Sequence, residues 1–409
     1  MLIDAIVRAR LAQAVAGAGA GERAICFAGG RVAELRSDAL GLAGSVLDAG
    51  GRAVAPAFVD AHVHLDKAFL SQDAGCCAPR LDAAIRAVAA LRETISVERV
   101  RANAERALEL LIENGVVAAR VHAEIDPAVG LRLVELQQEL AERVAERIEL
   151  QLVAFPQRGL ELAGMIDLMD AALRSGVPVV GGCPYVDSDP GRHLDVVFQL
   201  AERYDAPIDL HLDFSDDPGR SLLALVAERV HAHGVPGRVT LGHVTTLSAM
   251  TLDAQAAALD LLASAGISLV VLPATDLYLA GHGEPGTRSL APIARARRAG
   301  VRVAIANNNL DNPFAPFGNA SLLHAAWLAG IVQRLADAES RRFLFEAITS
   351  QPASLLGLAL HGPIEGALAH LVLLDTDQPD AIVSRAPAVL ATIRSGRLTH
   401  RLLSAQLRS

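Results

Sequence analysis

Pro56-Ala57-Phe58-Val59-Asp60-Ala61-His62-Val63-His64-Leu65-Asp66-Lys67 marks the point where the chain changes character. Upstream, Leu2 to Leu11, Ala24 to Phe27, Arg31 to Leu35 and Ser45 to Asp48 read as short strands between glycine-rich breaks, none able to close a core alone. Starting with this stretch, eight short apolar runs follow: Ala57 to His64, Val116 to Ala123, Ile148 to Phe155, Val177 to Pro184, Pro207 to Phe214, Arg238 to Val244, Ile267 to Pro273 and Val301 to Asn307. Such runs suit strands buried on both faces. Segments of helical periodicity separate them, the clearest from Val97 to Asn114 and ended by Gly115. Strands alternating with helices in this way predict an α/β fold, a closed (β/α)8 TIM barrel. After Leu358 strand character returns at Ala369 to Leu374 and Ala388 to Ile393. The two ends are therefore expected to pair as a small β-sandwich beside the barrel. The expected division gives residues 1–55 to the sandwich, 56–357 to the barrel and 358–409 to the sandwich again.

The 409 residues are 52% hydrophobic and 20% charged, the balance of a globular chain. A net charge of -9 without a basic tract argues against nucleic acid as a partner. The sequence offers neither a signal-peptide core nor the ~20 uncharged apolar residues of a membrane span, so a cytoplasmic location is expected. Cys26, Cys76, Cys77 and Cys183 match no zinc spacing and read as reduced thiols. Lys67 is the single lysine of the chain, every other cation being arginine. Where arginine serves as the generic positive charge, a lone lysine invites a specific role.

Side chains alternate along a strand, so His62 and His64 point to one side, which on a barrel strand is the axis. Alone, His-x-His fits two core histidines as well as a metal site. His211 and His243, near the C-terminal ends of the fifth and sixth runs, shift that balance, because barrel enzymes carry their active sites there. A divalent metal at such a mouth polarises the bond to be attacked and lowers the pKa of water toward neutrality.

This arrangement resembles the amidohydrolase superfamily and, within it, the cytosine deaminase branch, over nearly the whole chain. The similarity is carried by Pro56 to Asp66, by Leu152-Val153-Ala154-Phe155-Pro156-Gln157, by Ile208-Asp209-Leu210-His211-Leu212-Asp213 and by Gly242-His243-Val244-Thr245-Thr246. It implies that His62, His64 and His211 bind one divalent metal ion, zinc first, with iron or manganese also suited. It also implies that Gln157 contacts a heterocyclic substrate and that His243 stands beside the reacting atom.

Two residues of the deaminase pattern are absent. The glutamate expected three positions after the fifth-strand histidine is Phe214, and the aspartate at the end of the eighth strand is Asn308. Phenylalanine cannot move a proton and asparagine can only coordinate through its carbonyl. General acid–base groups typically contribute ~10²–10⁴ each, so ordinary cytosine deamination is not expected. A shift of register could instead bring Asp311 to the metal. His243 is the first choice as catalytic group, with Asn308 beside it and Lys67 as anchor for an anionic group or as catalytic cation. Phe214, Gln157, Asp276 and Lys67 are expected to touch substrate. The expected activity is metal-dependent hydrolysis of a C–N bond in a small nitrogen heterocycle or cyclic amide. A binding-only barrel and a lyase or isomerase at the same site remain open, as does assembly into a homo-oligomer.

Overall fold

The computed structural model describes residues 1–12, 21–42, 44–75, 80–92, 94–281 and 289–402. Cys76 and Cys77 lie outside them; Cys26 and Cys183 are free thiols. Among the described residues, sixteen strands form two sheets. Eight make the barrel, in sequential order: β6 (Phe58–Val63), β7 (Val116–Glu124), β8 (Glu149–Phe155), β9 (Val179–Gly182), β10 (Ile208–Leu212), β11 (Val239–His243), β12 (Ser268–Val271) and β13 (Val303–Ile305). Each falls within or within a residue of its expected apolar run, and every adjacent pair is parallel. Helices return the chain between strands. In Val97–Glu113 the buried stripe Val100, Ala104, Ala107, Leu108 and Leu111 has helical spacing, and Ser96 caps the start by accepting the Arg99 N–H. Such a cap is worth about 1 kcal/mol.

Closure between β13 and β6 is incomplete as strand pairing. At the C-terminal mouth a single bridge joins Val63 to Asn308: Asn308 N–H donates to His62 O at 2.8 Å and His64 N–H to Asn308 O at 2.9 Å. Lower down, the helix junction at Ala347-Ile348 fills the gap, accepting from Ile305 N–H at 2.8 Å and Val59 N–H at 3.1 Å. Asp60 bolts the same seam from inside. It accepts from Asn307 Nδ2 at 2.8 Å, Asn307 N–H at 3.3 Å and His62 N–H at 3.2 Å. Burial pushes its carboxyl up to about 6 despite these donors. The helix Ser350–Leu355 plugs the floor of the barrel, with Ala353 and Leu356 against Val59, Ala118 and Val270.

The chain ends meet in the second sheet: β1 (Ala5–Leu11), β2 (Glu22–Ala28), β3 (Arg31–Arg36), β4 (Val46–Asp48) and β5 (Ala53–Pro56) from the start, and β14 (Leu371–Leu374), β15 (Val389–Arg394) and β16 (Arg397–Arg401) from the end. They share one hydrogen-bonded network in the order β16-β15-β14-β5-β1-β2-β3, with β4 branching from β1. Ile6, Ile25, Val54, Leu371, Leu373 and Ile393 form its own apolar core. β14 pairs antiparallel with β5, so the C-terminal strands lie against the residues that lead into β6.

Candidate metal centre and pocket

The barrel strands end together, and the chain turns sharply where they do. Asp213, His243, Val244 and Asn308 all hold positive φ, 50°, 71°, 49° and 63°. Such backbone costs of order 1–3 kcal/mol per residue and concentrates at functional sites; Asp and Asn tolerate it best.

His62 and His64 leave β6, and His211 leaves β10, toward one point. The Nε2 atoms of His62 and His64 each lie 3.1 Å from His211 Nε2, and the three rings form a cluster able to hold a metal ion. Nitrogens at this separation are within reach of one ion held at ~2.05 Å from each, so these residues would fit a divalent metal. All three imidazoles are held well below their ordinary pKa, first by burial and then by the crowding of other basic side chains, His122 and His243 among them. They are therefore neutral and present lone pairs, the form a cation requires. Among the described residues, none of their Nδ1 atoms has a hydrogen-bond partner. The rings are instead oriented by stacking, His62 on His122 at 3.8 Å and His211 on Phe155 at 4.1 Å between centroids.

His243 stands beside them, 5.2 Å from His211 between centroids. Its Nδ1–H donates to Asp276 Oδ1 at 2.6 Å, and Asp276 Oδ2 accepts Leu272 N–H at 3.2 Å. Sequence reasoning expected Asp276 to touch substrate. The helix Pro273–Leu279 instead winds its fully buried carboxylate behind His243, where it holds the imidazole in place and leaves Nε2 toward the pocket. Phe214 is where the fifth-run pattern predicts it, its ring 4.5 Å from His243. Asp213 is turned away, taking Ser221 Oγ, Thr246 Oγ1 and Leu222 N–H. Asn308 is buried at the mouth, and its Oδ1 has no partner among the described residues. Asp311 bonds to Ser71, so the shifted register that would bring it to the metal is not adopted.

Lys67 is nine-tenths and more buried, as is Gln157. Its Nζ donates to Gln157 Oε1 at 2.8 Å and lies 3.5 Å from Glu124 Oε2, with the Phe155 and Phe314 rings at 5.5 and 5.0 Å. Glu124 is shared with Arg92 Nη2 at 2.7 Å, and Arg92 also reaches Asp66. Burial works against ionising Glu124, but Arg92 and Lys67 outweigh it and hold its carboxyl at about 2. Together His64, Lys67, Gln157, Phe214, His243 and Asn308 line one narrow recess at the barrel mouth.

Two sets of residues escaped sequence reasoning. Arg92 reads as an ordinary last-turn cation, and nothing in the local pattern reveals that it is buried. Beneath the histidines, Asp209 accepts from His122 Nε2 at 3.1 Å and Arg120 Nη1 at 2.8 Å. Here a signal existed: Arg120 and Asp209 are charges inside otherwise apolar strands, and such charges are buried only when paired.

Known proteins share this architecture and sequence. Residues 81–400 match the amidohydrolase family. N-isopropylammelide isopropyl amidohydrolase of Pseudomonas sp. strain ADP is 27% identical over 387 residues, 91% of this chain and 92% of that protein. Pterin deaminase of Rhizobium rhizogenes is 29% identical over 357 residues, 85% and 80%. The crystal structure of 5-methylcytosine deaminase from Klebsiella pneumoniae with phosphonocytosine superposes with a TM-score of 0.89 at 26% identity, covering 97% of this chain and 98% of that one.

Proposed function

Because the chain belongs to the amidohydrolase family, as a cytosine deaminase-like member, we propose that His62, His64 and His211 hold one divalent cation, zinc by preference, and that the site hydrolyses a C–N bond in a small oxo-substituted nitrogen heterocycle. The observation that carries this reading is the convergence of three buried Nε2 atoms within one another's reach at the barrel mouth. The relatives that act on ammelide, pterin and methylcytosine support the substrate class.

A cation so held lowers the pKa of water and polarises the carbon to be attacked. The chain supplies the rest. His243, fixed by Asp276 through Nδ1, accepts a proton at Nε2 and returns it to the departing nitrogen. Gln157 and Lys67 hold the ring by its edge. Phe214 and Phe314 cover its face and keep bulk water out. The loss of the glutamate at position 214 leaves proton transfer to the imidazole, and the neutral Asn308 adds no charge to the three histidines.

The test is metal analysis of protein purified without chelator. The wild type should carry about one equivalent of metal, and the double variant His62→Ala with His211→Ala should carry almost none. Substoichiometric metal in the wild type, or unchanged content in the variant, would overturn the reading. A binding-only barrel is favoured if Phe214, pressed on His243 at 4.5 Å, blocks proton transfer. A screen of pyrimidines, triazines and pterins with ammonia or amine readout, repeated with His243→Ala, decides between the two.

A further inference from the structure

The amide of Gln157 has an orientation that charge alone fixes. An ammonium has three donors and no acceptor, so the atom 2.8 Å from Lys67 Nζ must be the Gln157 oxygen. The reverse orientation would set an NH2 group against an NH3⁺ group. Gln157 Nε2 then faces the recess as a donor, and among the described residues it makes no hydrogen bond. Lys67 gives one N–H to Gln157 and leans a second toward Glu124, which leaves a third for a ligand. This wall therefore offers donors only. A free glutamine could read a lactam edge with its oxygen on the ring N–H and its nitrogen on the carbonyl. Here the oxygen is occupied, and a ring N–H would meet a donor.

We propose that Lys67 sets the amide of Gln157 so that this wall selects heterocycles presenting a hydrogen-bond acceptor, namely an oxo group beside an ionised ring nitrogen, as in the anion of an imide or cyclic urea. The inference rests on the reading that this recess takes a small heterocycle, and it makes Lys67 a specificity-determining residue. A neutral lactam is disfavoured because one buried donor is left facing another. An anion gains two charge-assisted or strongly polarised bonds at the same place.

The probes are uracil, neutral at pH 7, and 5-nitrouracil, whose ring N–H is ionised at pH 7. Calorimetric titration of the metal-loaded wild type should show 5-nitrouracil binding roughly tenfold or more tighter, the effect of one charge-assisted bond. In Lys67→Met the amide is released to turn over, and the preference should collapse to within about threefold. In Gln157→Glu the wall gains an acceptor held by Lys67, and the preference should reverse toward uracil. Comparing each probe across variants removes the contribution of the nitro group itself. Equal binding of the two probes by the wild type overturns the proposal, as does an unchanged preference in Lys67→Met or in Gln157→Glu, or no binding of either probe at millimolar concentration. Circular dichroism checks that each variant is folded, and Gln157→Glu decides alone if Lys67→Met is not. Metal content is measured separately. A missing preference at full metal stoichiometry removes only this inference, whereas missing metal removes the reading beneath it.

Discussion

The pair formed by His243 and Asp276 gives the sharpest prediction. Asp276 is fully buried and serves two donors, His243 Nδ1–H at 2.6 Å and Leu272 N–H at 3.2 Å. Asp276→Asn keeps the shape but leaves one acceptor for two donors. If the amide oxygen stays on His243, its NH2 faces Leu272 N–H and two donors collide in a dry site. If the amide turns over, its NH2 donates to Nδ1, the imidazole proton moves to Nε2, and the ring loses the lone pair that takes a proton from water. The first outcome costs about 1–3 kcal/mol for an unmatched buried donor; the second leaves both contacts matched but gives up the charge on the bond to His243 and the basic lone pair of its ring. The first outcome appears as lowered stability with turnover largely kept, the second as a fall in kcat of about 10²- to 10⁴-fold, the loss of a general base. Burial pushes the Asp276 carboxyl above its usual range, against the pull of His243. Its charge therefore depends on that contact, and removing it should also change the pH profile of kcat. The assay is amine or ammonia release from the best heterocycle of the screen, with urea unfolding alongside. If kcat, its pH profile and stability all remain within about twofold or about 0.3 kcal/mol of wild type, the assignment of Asp276 as the positioning partner of His243 is wrong.

Gly242 offers a subtler probe, because a Cβ there would lie 3.2 Å from His62 Cε1 and 3.3 Å from its Nδ1. Gly242→Ala should tilt the His62 ring and weaken metal affinity about tenfold, within the range seen when supporting contacts of a ligand are disturbed; competition with a chromophoric chelator reads this directly, and unchanged affinity refutes it. Chelator removal of metal should lower the melting temperature of the wild type, since a ligand of the native state stabilises by mass action, and should leave His211→Ala unaffected in scanning calorimetry. Glu124, held at about 2 against an ordinary 4.5, stabilises the fold fully above pH 4.5 and loses that contribution as pH falls toward 2. Metal-free protein should lose stability as pH falls across this window; Glu124→Gln should flatten that loss in urea titrations while lowering stability at pH 7, because Lys67 and Arg92 lose their shared partner.

How much of the molecule was legible in the sequence depends on whether the cause was local. The barrel strands were, since an apolar run between turn signals carries its own period. So was the side to which His62 and His64 point, because alternation along a strand is fixed by the backbone. The deaminase positions occupied by Phe214 and Asn308 were equally plain, and the structure puts both beside the histidines. What the sequence could not supply was what stands opposite. Asp276 looked like a pocket residue until a helical turn carried it behind His243. Lys67 stood out as the single lysine, but several carboxylates were within plausible reach, and only packing selects Glu124. The insertion of Ala347-Ile348 between β13 and β6 has no sequence signature at all, because it depends on barrel circumference and not on any local pattern.

These non-local contacts bear on the chemistry. Hydrolytic removal of an amine needs a proton taken from water and one delivered to the departing nitrogen. The deaminase pattern divides such duties between a glutamate and an aspartate that this chain lacks. Among the groups facing the recess, Lys67 is bound to Gln157 and Glu124, burial pushes the Tyr185 hydroxyl well above its usual range, and His64 and His211 direct their Nε2 atoms at one another. The carboxylates nearest in sequence, Asp213 and Asp311, are turned to Ser221 and Ser71. Proton transfer in the proposed reaction thus falls to one imidazole acting twice, as base and then as acid. A single group cannot be in both states at once, so its two roles must alternate within a turnover. Both transfers should therefore slow together in Asp276→Asn and fail together in His243→Ala; rapid-mixing kinetics that find only one of them slowed would require a second proton carrier.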